Sequence, residues 1–392
     1  MKSLFIILFS VSRLFNQNPV PAKVTEVLNQ LQNKYAPDKR TSIFNIKANT
    51  STTGKIVLTG ELAGANIRKE LLTALKSFNI LDSLQMLPEK ELGTKIYGVI
   101  TIPVANMRAN PGHNQEMVDQ LLCGSVVRLY KSSGSWTLSQ SPDDYLGWID
   151  NDAIVPLDTI ALKDYLSKPK LITIRDQSYI VDKPGDASNI VSPLSIGAII
   201  TLLNKSGNFY EVALADGRKG YINTGSVNEV KKWKEETKTQ LQPNQVIKTA
   251  FNFLGRPYLW GGTSGNGMDC SGFTKMVYYL HGLVLPRDAS QQVRVGKPIP
   301  SDTTLKNILP GDLLFFGRHA SNDKPEKVTH VAMYLGDGKI IHSSGYVRVQ
   351  SLKRGDPDFT ESRLHSFLQA RRPLAAPKEN GIPSLSDLHF FD

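Results

Sequence analysis

YLWGGTSGNGMDCSGFTKMVYYL, residues 258–280, is the stretch from which the other segments of the 392-residue chain take their meaning. A glycine-rich loop delivers Cys270 to the start of an apolar segment in which Phe273, Val277 and Leu280 recur at helical spacing. A thiol there meets the first free backbone N–H groups and the positive end of the helix dipole, which favour thiolate, the nucleophilic form. A single cysteine at a helix start is more often a packing residue, so chemistry needs partners elsewhere in the chain.

A cysteine nucleophile needs a base within hydrogen-bond reach and a third polar group that holds the base's ring. Of seven histidines, His330 lies in the alternating run Val328-Thr329-His330-Val331-Ala332-Met333-Tyr334, and His342 in Lys339-Ile340-Ile341-His342-Ser343. Between them Gly336-Asp337-Gly338 is a hairpin signal. With those three residues as the loop, Leu335 pairs with Lys339, His330 faces Ser344, and His342 is a diagonal neighbour on the same face. A slip of one residue would put the rings on opposite faces. His113, His281, His319, His365 and His389 lack such a partner and read as surface or packing residues.

Other chemistries find little support. There is no His-Glu-x-x-His run or closely spaced Cys/His set, so no metal site is expected. The run Gly261-Gly262-Thr263-Ser264-Gly265 lacks the Gly-Lys-Ser/Thr of a phosphate loop, and no cofactor is expected. A net charge of +10 suits acidic partners without choosing among wall polymers, nucleic acid and anionic lipid. No dense Lys/Arg block with interleaved aromatics occurs, so a nucleic-acid module is not expected. The two cysteines, Cys123 and Cys270, fall in different domains, which argues against a disulfide; Cys123 reads as a small buried hydrophobe.

The opening MKSLFIILFSVSRLF places Lys2 before an apolar run and reads as a signal peptide over residues 1–19, with an exported, cell-envelope protein as the expectation. Arg13 interrupts the run and no Ala-x-Ala site follows, so an N-terminal amphipathic helix is the alternative. No apolar stretch of 18 or more residues occurs, and no transmembrane helix is expected.

The pattern of elements is that of an α+β protein of several domains. Residues 20–96 read as α-β-β-α-β, with helices over residues 24–31 and 67–78 and short strands over 44–47, 55–58 and 84–87. Around Val57-Leu58-Thr59-Gly60 this unit resembles the small BON-type domains of bacterial envelope proteins; a neutral spacer is the alternative. Residues 97–157 and 175–230 share a succession of strand, glycine turn, aromatic strand and Gly-aromatic-Ile strand. Five or six short strands in each copy imply two small barrels related by an internal repeat. Residues 231–243 read as a solvated helical linker. Asn244 is then placed to cap a helix with Ile247, Ala250, Phe251 and Leu254 on one face, opening a domain that runs to residue 373. Residues 374–392 read as a loosely packed tail.

Taken together, Tyr258-x-Trp260-Gly261-Gly262, Asp269-Cys270-Ser271-Gly272-Phe273, Arg287-Asp288-x-Ser290 followed by Gln291 or Gln292, Leu309-Pro310-Gly311-Asp312-Leu313, Thr329-His330-Val331-Ala332 and Ile341-His342 resemble the motif set of the NlpC/p-sixty family of papain-like cysteine peptidases. The likeness covers residues 244–373. The barrels resemble bacterial SH3-like domains, and with Asn106-x-Arg108 and Tyr145-x-Gly147-Trp148-Ile149 they extend the similarity to the γ-D-glutamyl-L-diamino-acid endopeptidases. That resemblance implies Cys270 as nucleophile, His330 as general base and His342 as the orienting residue. It implies Tyr258 beside the oxyanion, and Trp260, Asp269 and Ser271 shaping the pocket. Asp288 would pair with the free α-amine of a peptidoglycan-derived peptide, helped by Tyr145 from the first barrel. Asp288 with Gln291 also reads as a helix capping box, Tyr145 as a barrel core residue, and Asp269 as a plain helix cap. The oligomeric state is open in the sequence, with a monomer as the expectation.

Overall fold

The computed structural model of the chain describes residues 19–185, 188–239 and 241–387. Residues 1–18, which carry the signal-peptide reading, and His389 lie outside them. The chain divides between Glu89 and Lys90 into two units.

The first unit runs helix Ala22–Tyr35, strands Phe44–Thr50 and Ile56–Ala63, helix Ala65–Ala74 and strand Ile80–Leu87. The central strand pairs antiparallel with the first and parallel with the last. Val24, Val27 and Leu31, spaced to share one helix face, pack with Leu71 against Leu58 and Leu62. The last strand starts at Ile80, earlier than the apolar pattern suggested, because its alternate residues Leu81, Ser83 and Gln85 face outward. Residues 90–96 belong to the second unit, where the Ile96 carbonyl accepts from Leu129 N–H at 2.8 Å.

Each barrel has seven strands rather than five or six. In both, the seventh strand lies beside the first, followed by the fourth, fifth, sixth, second and third, so the repeat extends to topology. The second barrel begins before residue 175. Its first strand, Lys170–Thr173, pairs with Ile199–Ser206 and Val227–Glu229, and buries Leu171 and Ile172. The two barrels meet where Ile199 N–H donates to the Cys123 carbonyl at 2.9 Å, and Cys123 is buried in the second barrel's core as a small hydrophobe.

Two segments expected to be loose are docked. In the linker helix Val230–Thr239, Trp233 is buried and its Nε1 donates to the Leu280 carbonyl at 3.2 Å. In the described part of the tail, Ile382 and Leu385 are buried, and Val284 N–H donates to the Pro383 carbonyl at 2.9 Å. Single large apolar residues in otherwise polar segments suffice to hold them down.

The helix Pro243–Phe251 starts with Pro243 in its first turn, after Gln242, so Asn244 is inside the helix and is not its cap. Its buried face is Val246 and Ala250, continued by Phe253, while Phe251 and Leu254 are exposed. Beyond it lies a six-stranded antiparallel sheet in the order Lys297–Ile299, Phe367–Arg372, Leu313–Arg318, Lys327–Gly336, Lys339–Ser344, Tyr346–Ser351. Helix Cys270–Tyr279 packs Phe273, Met276 and Val277 against Val331, Met333 and Ile341. A second core gathers Ala332, Tyr334 and Ile340 with Phe316, Leu364 and Phe367.

A buried chain of charges joins the first barrel to this domain. Asp119, on barrel strand Met117–Leu122, lies 2.8 Å from Arg287 Nε and 3.1 Å from Lys275 Nζ, and accepts from Thr263 Oγ1 at 2.7 Å. Lys275 also reaches Asp143 at 2.8 Å, and Arg287 continues to Asp269 at 2.6 Å. Burial works against the charged form of Asp119, but the Lys275 and Arg287 charges outweigh it and hold the carboxyl below its ordinary range. Asp119→Ala would leave two buried cations short of a partner, which costs about 3–5 kcal/mol. All four tryptophans lie in this unit, so urea unfolding followed by tryptophan fluorescence reads the loss as a lowered midpoint. An unchanged midpoint would show that the network does not hold the domains together.

Candidate active site

Cys270 opens its helix, with Asp269 as the cap: Asp269 Oδ1 accepts from Gly272 N–H at 2.7 Å. The glycine at 272 is a packing requirement, since a Cβ there would stand 2.0 Å from the Gly262 carbonyl oxygen. Asp269 Oδ2 accepts from Gly261 N–H at 3.0 Å, and Arg287 clamps both carboxylate oxygens at 3.1 and 2.6 Å. Ser271 Oγ donates to Asp269 at 3.2 Å and accepts from Arg287 at 3.1 Å. Asp269 and Ser271 are thus engaged by the frame that holds the cysteine. Gln292 joins that frame from behind, accepting from Thr274 Oγ1 at 2.7 Å and donating to the Ser271 carbonyl at 3.0 Å.

The sequence led us to expect a resting thiolate, and the structure differs. Burial, reinforced by the Asp269 carboxylate, pushes the Cys270 thiol up to about 11, against hydrogen bonding from the Val331 and Ser271 N–H groups and the Arg287 charge. The helix terminus stabilises an exposed thiolate, whereas this sulfur is desolvated. The Val331 N–H donating to it sets the thiol beside the residue that follows His330.

The histidine hairpin keeps the expected register at Met333–Ile341 and Tyr334–Ile340, but Lys339 pairs with Gly336 instead of Leu335. Asp337 and Gly338 both have positive φ, 48° and 75°, as in a two-residue hairpin turn, and the extra residue is taken up as a bulge at Leu335. The two rings meet, with His330 Nε2 and His342 Nδ1 2.7 Å apart. Gln350 presents Oε1 to His342 Nε2 at 2.8 Å. An amide oxygen only accepts, so His342 Nε2 carries the proton and its Nδ1 is the lone pair that accepts from His330 Nε2–H. His330 Nδ1 is thereby left as the basic nitrogen. Burial, then the charge of Arg363, then His342 hold His330 well below its usual value; burial and Arg363 bring His342 down to about 4. The resting pair is therefore a neutral thiol and a neutral base.

Tyr258 is half-buried, and burial followed by the nearness of Cys270 and Asp269 pushes its hydroxyl up to about 12, which keeps it a donor. Trp260 is 63% exposed, with Nε1 donating to Glu116 of the first barrel at 2.9 Å. Tyr145 leaves its barrel to donate to Asp288 Oδ2 at 2.9 Å, while Asp288 also forms the capping box with Gln291. Asp288 thus forms the capping box read for it, and the buried Tyr145 bonds to it across the domain boundary. Among the described residues no group of three or more His, Cys, Asp or Glu side chains could hold a metal ion.

Residues 255–367 match the NlpC/P60 family, and residues 107–154 the bacterial dipeptidyl-peptidase SH3 domain. Residues 255–367 are a cysteine peptidase domain of the NlpC/P60 family. The chain is 29% identical over 265 residues, 65% of its own length and 74% of the relative's, to a γ-D-glutamyl-L-lysine dipeptidyl-peptidase of Bacillus cereus. It is 28% identical to dipeptidyl-peptidase 6 of Lysinibacillus sphaericus, over 66% of this chain and 93% of that one. The fold matches the crystal structure of an NlpC/P60 family protein from Bacillus cereus with a TM-score of 0.59 at 23% identity, covering 71% of this chain and 99% of that one.

Gln350, Arg348 and Arg363 were not singled out in the sequence. Gln350 and Arg348 alternate with Val347 and Val349 on the strand after His342, and that alternation was the available signal. Arg363 had none, because it arrives from a separate short helix.

Two outcomes follow for the peptidase. Since His330 is depressed, its base form survives as pH falls through 6.5, and the acid limb of kcat/KM lies below that value. A limb at or above it would show a His330 of ordinary basicity, contrary to the burial of its ring. Gln350→Leu removes the acceptor that fixes the tautomer and lowers kcat about 10- to 100-fold with little change in KM. An unchanged kcat would remove Gln350 from the relay.

Proposed function

We propose that this peptidase hydrolyses the bond between γ-D-glutamate and the L-diamino acid of peptidoglycan stem peptides that carry a free N-terminal L-alanine. The supporting observation is the hydrogen bond from Tyr145 to Asp288, which sets a carboxylate from the catalytic domain and a hydroxyl from the first barrel together near the nucleophile's frame. A carboxylate held in that way suits an ammonium group. The dipeptidyl-peptidase relatives support the same substrate class.

In this reaction His330 Nδ1 takes the thiol proton as Cys270 Sγ attacks the glutamyl carbonyl. The Cys270 N–H, which has no intrahelical partner, and the Tyr258 hydroxyl hold the oxyanion. His330 returns the proton to the departing amine and leaves a thioester of L-Ala-γ-D-Glu. It then deprotonates the water that releases the dipeptide. An N-acylated, glycan-linked peptide would leave Asp288 without its counter-charge, so soluble trimmed peptides are the substrate and recycling of wall peptides in the cell envelope is the role.

The free tripeptide L-Ala-γ-D-Glu-L-Lys and its N-acetyl form test this directly. Acetylation lowers kcat/KM on the order of 100-fold or more. Asp288→Asn keeps a good helix cap yet lowers turnover of the free peptide by a similar factor. Equal rates on the two peptides would sink the amine-capture reading in favour of a hydrolase of intact peptidoglycan. Unchanged turnover by Cys270→Ala would dismiss the nucleophile.

A further inference from the structure

We infer that Arg363, seconded by Arg348, forms a carboxylate-binding subsite beside the catalytic histidines, holding a carboxylate of the peptide being cut. This inference rests on the substrate reading above and adds to it a second anchoring group.

The placement of Arg363 carries the argument. Its guanidinium lies 5.9 Å from the centre of the Phe316 ring, and Phe316 is paired with His330, their rings 5.9 Å apart. From there Arg363 donates to Ser344 Oγ at 3.4 Å. Ser344 precedes Gly345, whose carbonyl accepts from Tyr258 N–H at 2.9 Å. The cation therefore sits between the wall that carries the histidines and the segment that carries Tyr258. Its charge is felt by Cys270, Tyr258, His330 and His342 alike.

Arg348 lies directly across the hairpin from His342, so both side chains rise from the same face. Its guanidinium stacks on Tyr346 at 5.3 Å, and its Nε is buried without a hydrogen-bond partner. Among the described residues neither arginine has a carboxylate within ion-pair distance. Three other buried or half-buried arginines of the domain do have one, Arg287 with Asp119 and Asp269, Arg372 with Asp312 and Arg256 with Asp176, while Arg371, far along the sheet from the histidines, donates to Gln369 Oε1 at 3.0 Å.

With no anion of the fold to answer them, Arg363 lowers His330 and His342 alike and Arg348 adds to the effect on His342. A fold gains nothing from that arrangement by itself. A substrate carboxylate would answer the charge bidentately and lift the part of the His330 depression that Arg363 causes, at the moment of binding. The tripeptide offers two such groups: the α-carboxylate of the γ-linked glutamate and the C-terminal carboxylate of the diamino acid.

The experiment compares the unsubstituted protein with Arg363→Gln and Arg363→Lys on L-Ala-γ-D-Glu-L-Lys, its isoglutamine form and its C-terminal amide. Arg363→Gln is expected to lower kcat/KM about 10- to 100-fold on the free tripeptide, mainly through KM. It should cost nothing further on whichever amide lacks the bound carboxylate, which identifies the source. The acid limb of kcat/KM should also move to higher pH in Arg363→Gln, a change that simple structural damage does not produce, and Arg363→Lys should recover part of the affinity.

An equal loss on all three peptides, or no loss on any, overturns the subsite. Cleavage of none of them by the unsubstituted protein would instead overturn the substrate reading. Calorimetric binding of the same tripeptide to Cys270→Ala, with and without Arg363→Gln, then decides the subsite separately: weaker binding without Arg363 supports it, and binding or its absence unaffected by Arg363 overturns it.

Discussion

The contact on which the active site depends is the buried arginine clamp, Asp119 to Arg287 to Asp269. One end is a barrel residue, the other is the cap of the cysteine's helix, and the guanidinium between them is fully enclosed. Buried charges of this kind are poor contributors to net stability, because desolvation consumes most of the attraction. What they supply is geometry. Each carboxylate position is defined by a planar fork, so the helix that carries Cys270 is oriented by a residue from another domain. The same carboxylate, Asp269, caps the helix and opposes ionisation of the thiol it positions. Rigidity at this point is obtained together with a neutral nucleophile.

That neutrality shapes the rest of the site. His330 and His342 are linked into a line that ends on the Gln350 amide, and a line of neutral donors and acceptors has only one consistent direction of proton placement. An acidic residue in place of Gln350 would have drawn charge onto the rings. The amide fixes tautomers without doing so, and leaves the timing of proton transfer to the approach of substrate.

Features with a local cause were legible in the sequence. Cys270 after a glycine loop, the alternating run with His330 and the hairpin signal before His342 each follow from short-range periodicity, and the α-β-β-α-β order of the first unit did too. The bulge at Leu335 was not visible, because a three-residue glycine-rich loop and a two-residue turn with a bulge share the same composition. The docking of Trp233 and Ile382 was hidden in polar segments, where a single apolar residue carries no period. The partnership of Asp119 with Arg287, and the arrival of Arg363 beside the histidines, are tertiary facts with long separations in the chain. The thiol's ionisation was misjudged because helix position is local, whereas burial depends on the whole fold.

The shared strand order of the two barrels extends to their connections. In each copy the loop between the fifth and sixth strands is the joint to the next body. In the first barrel it brings Asp143 to Lys275 and Tyr145 to Asp288; in the second, Arg218 donates to the Thr101 carbonyl of the first barrel at 2.9 Å. A repeated module thus uses one connector twice, once against the other barrel and once against the catalytic domain. If Asp288 takes the substrate's amine as proposed, lengthening or shortening that loop in the first copy would change which peptide ends are admitted, leaving the catalytic domain's own sequence untouched.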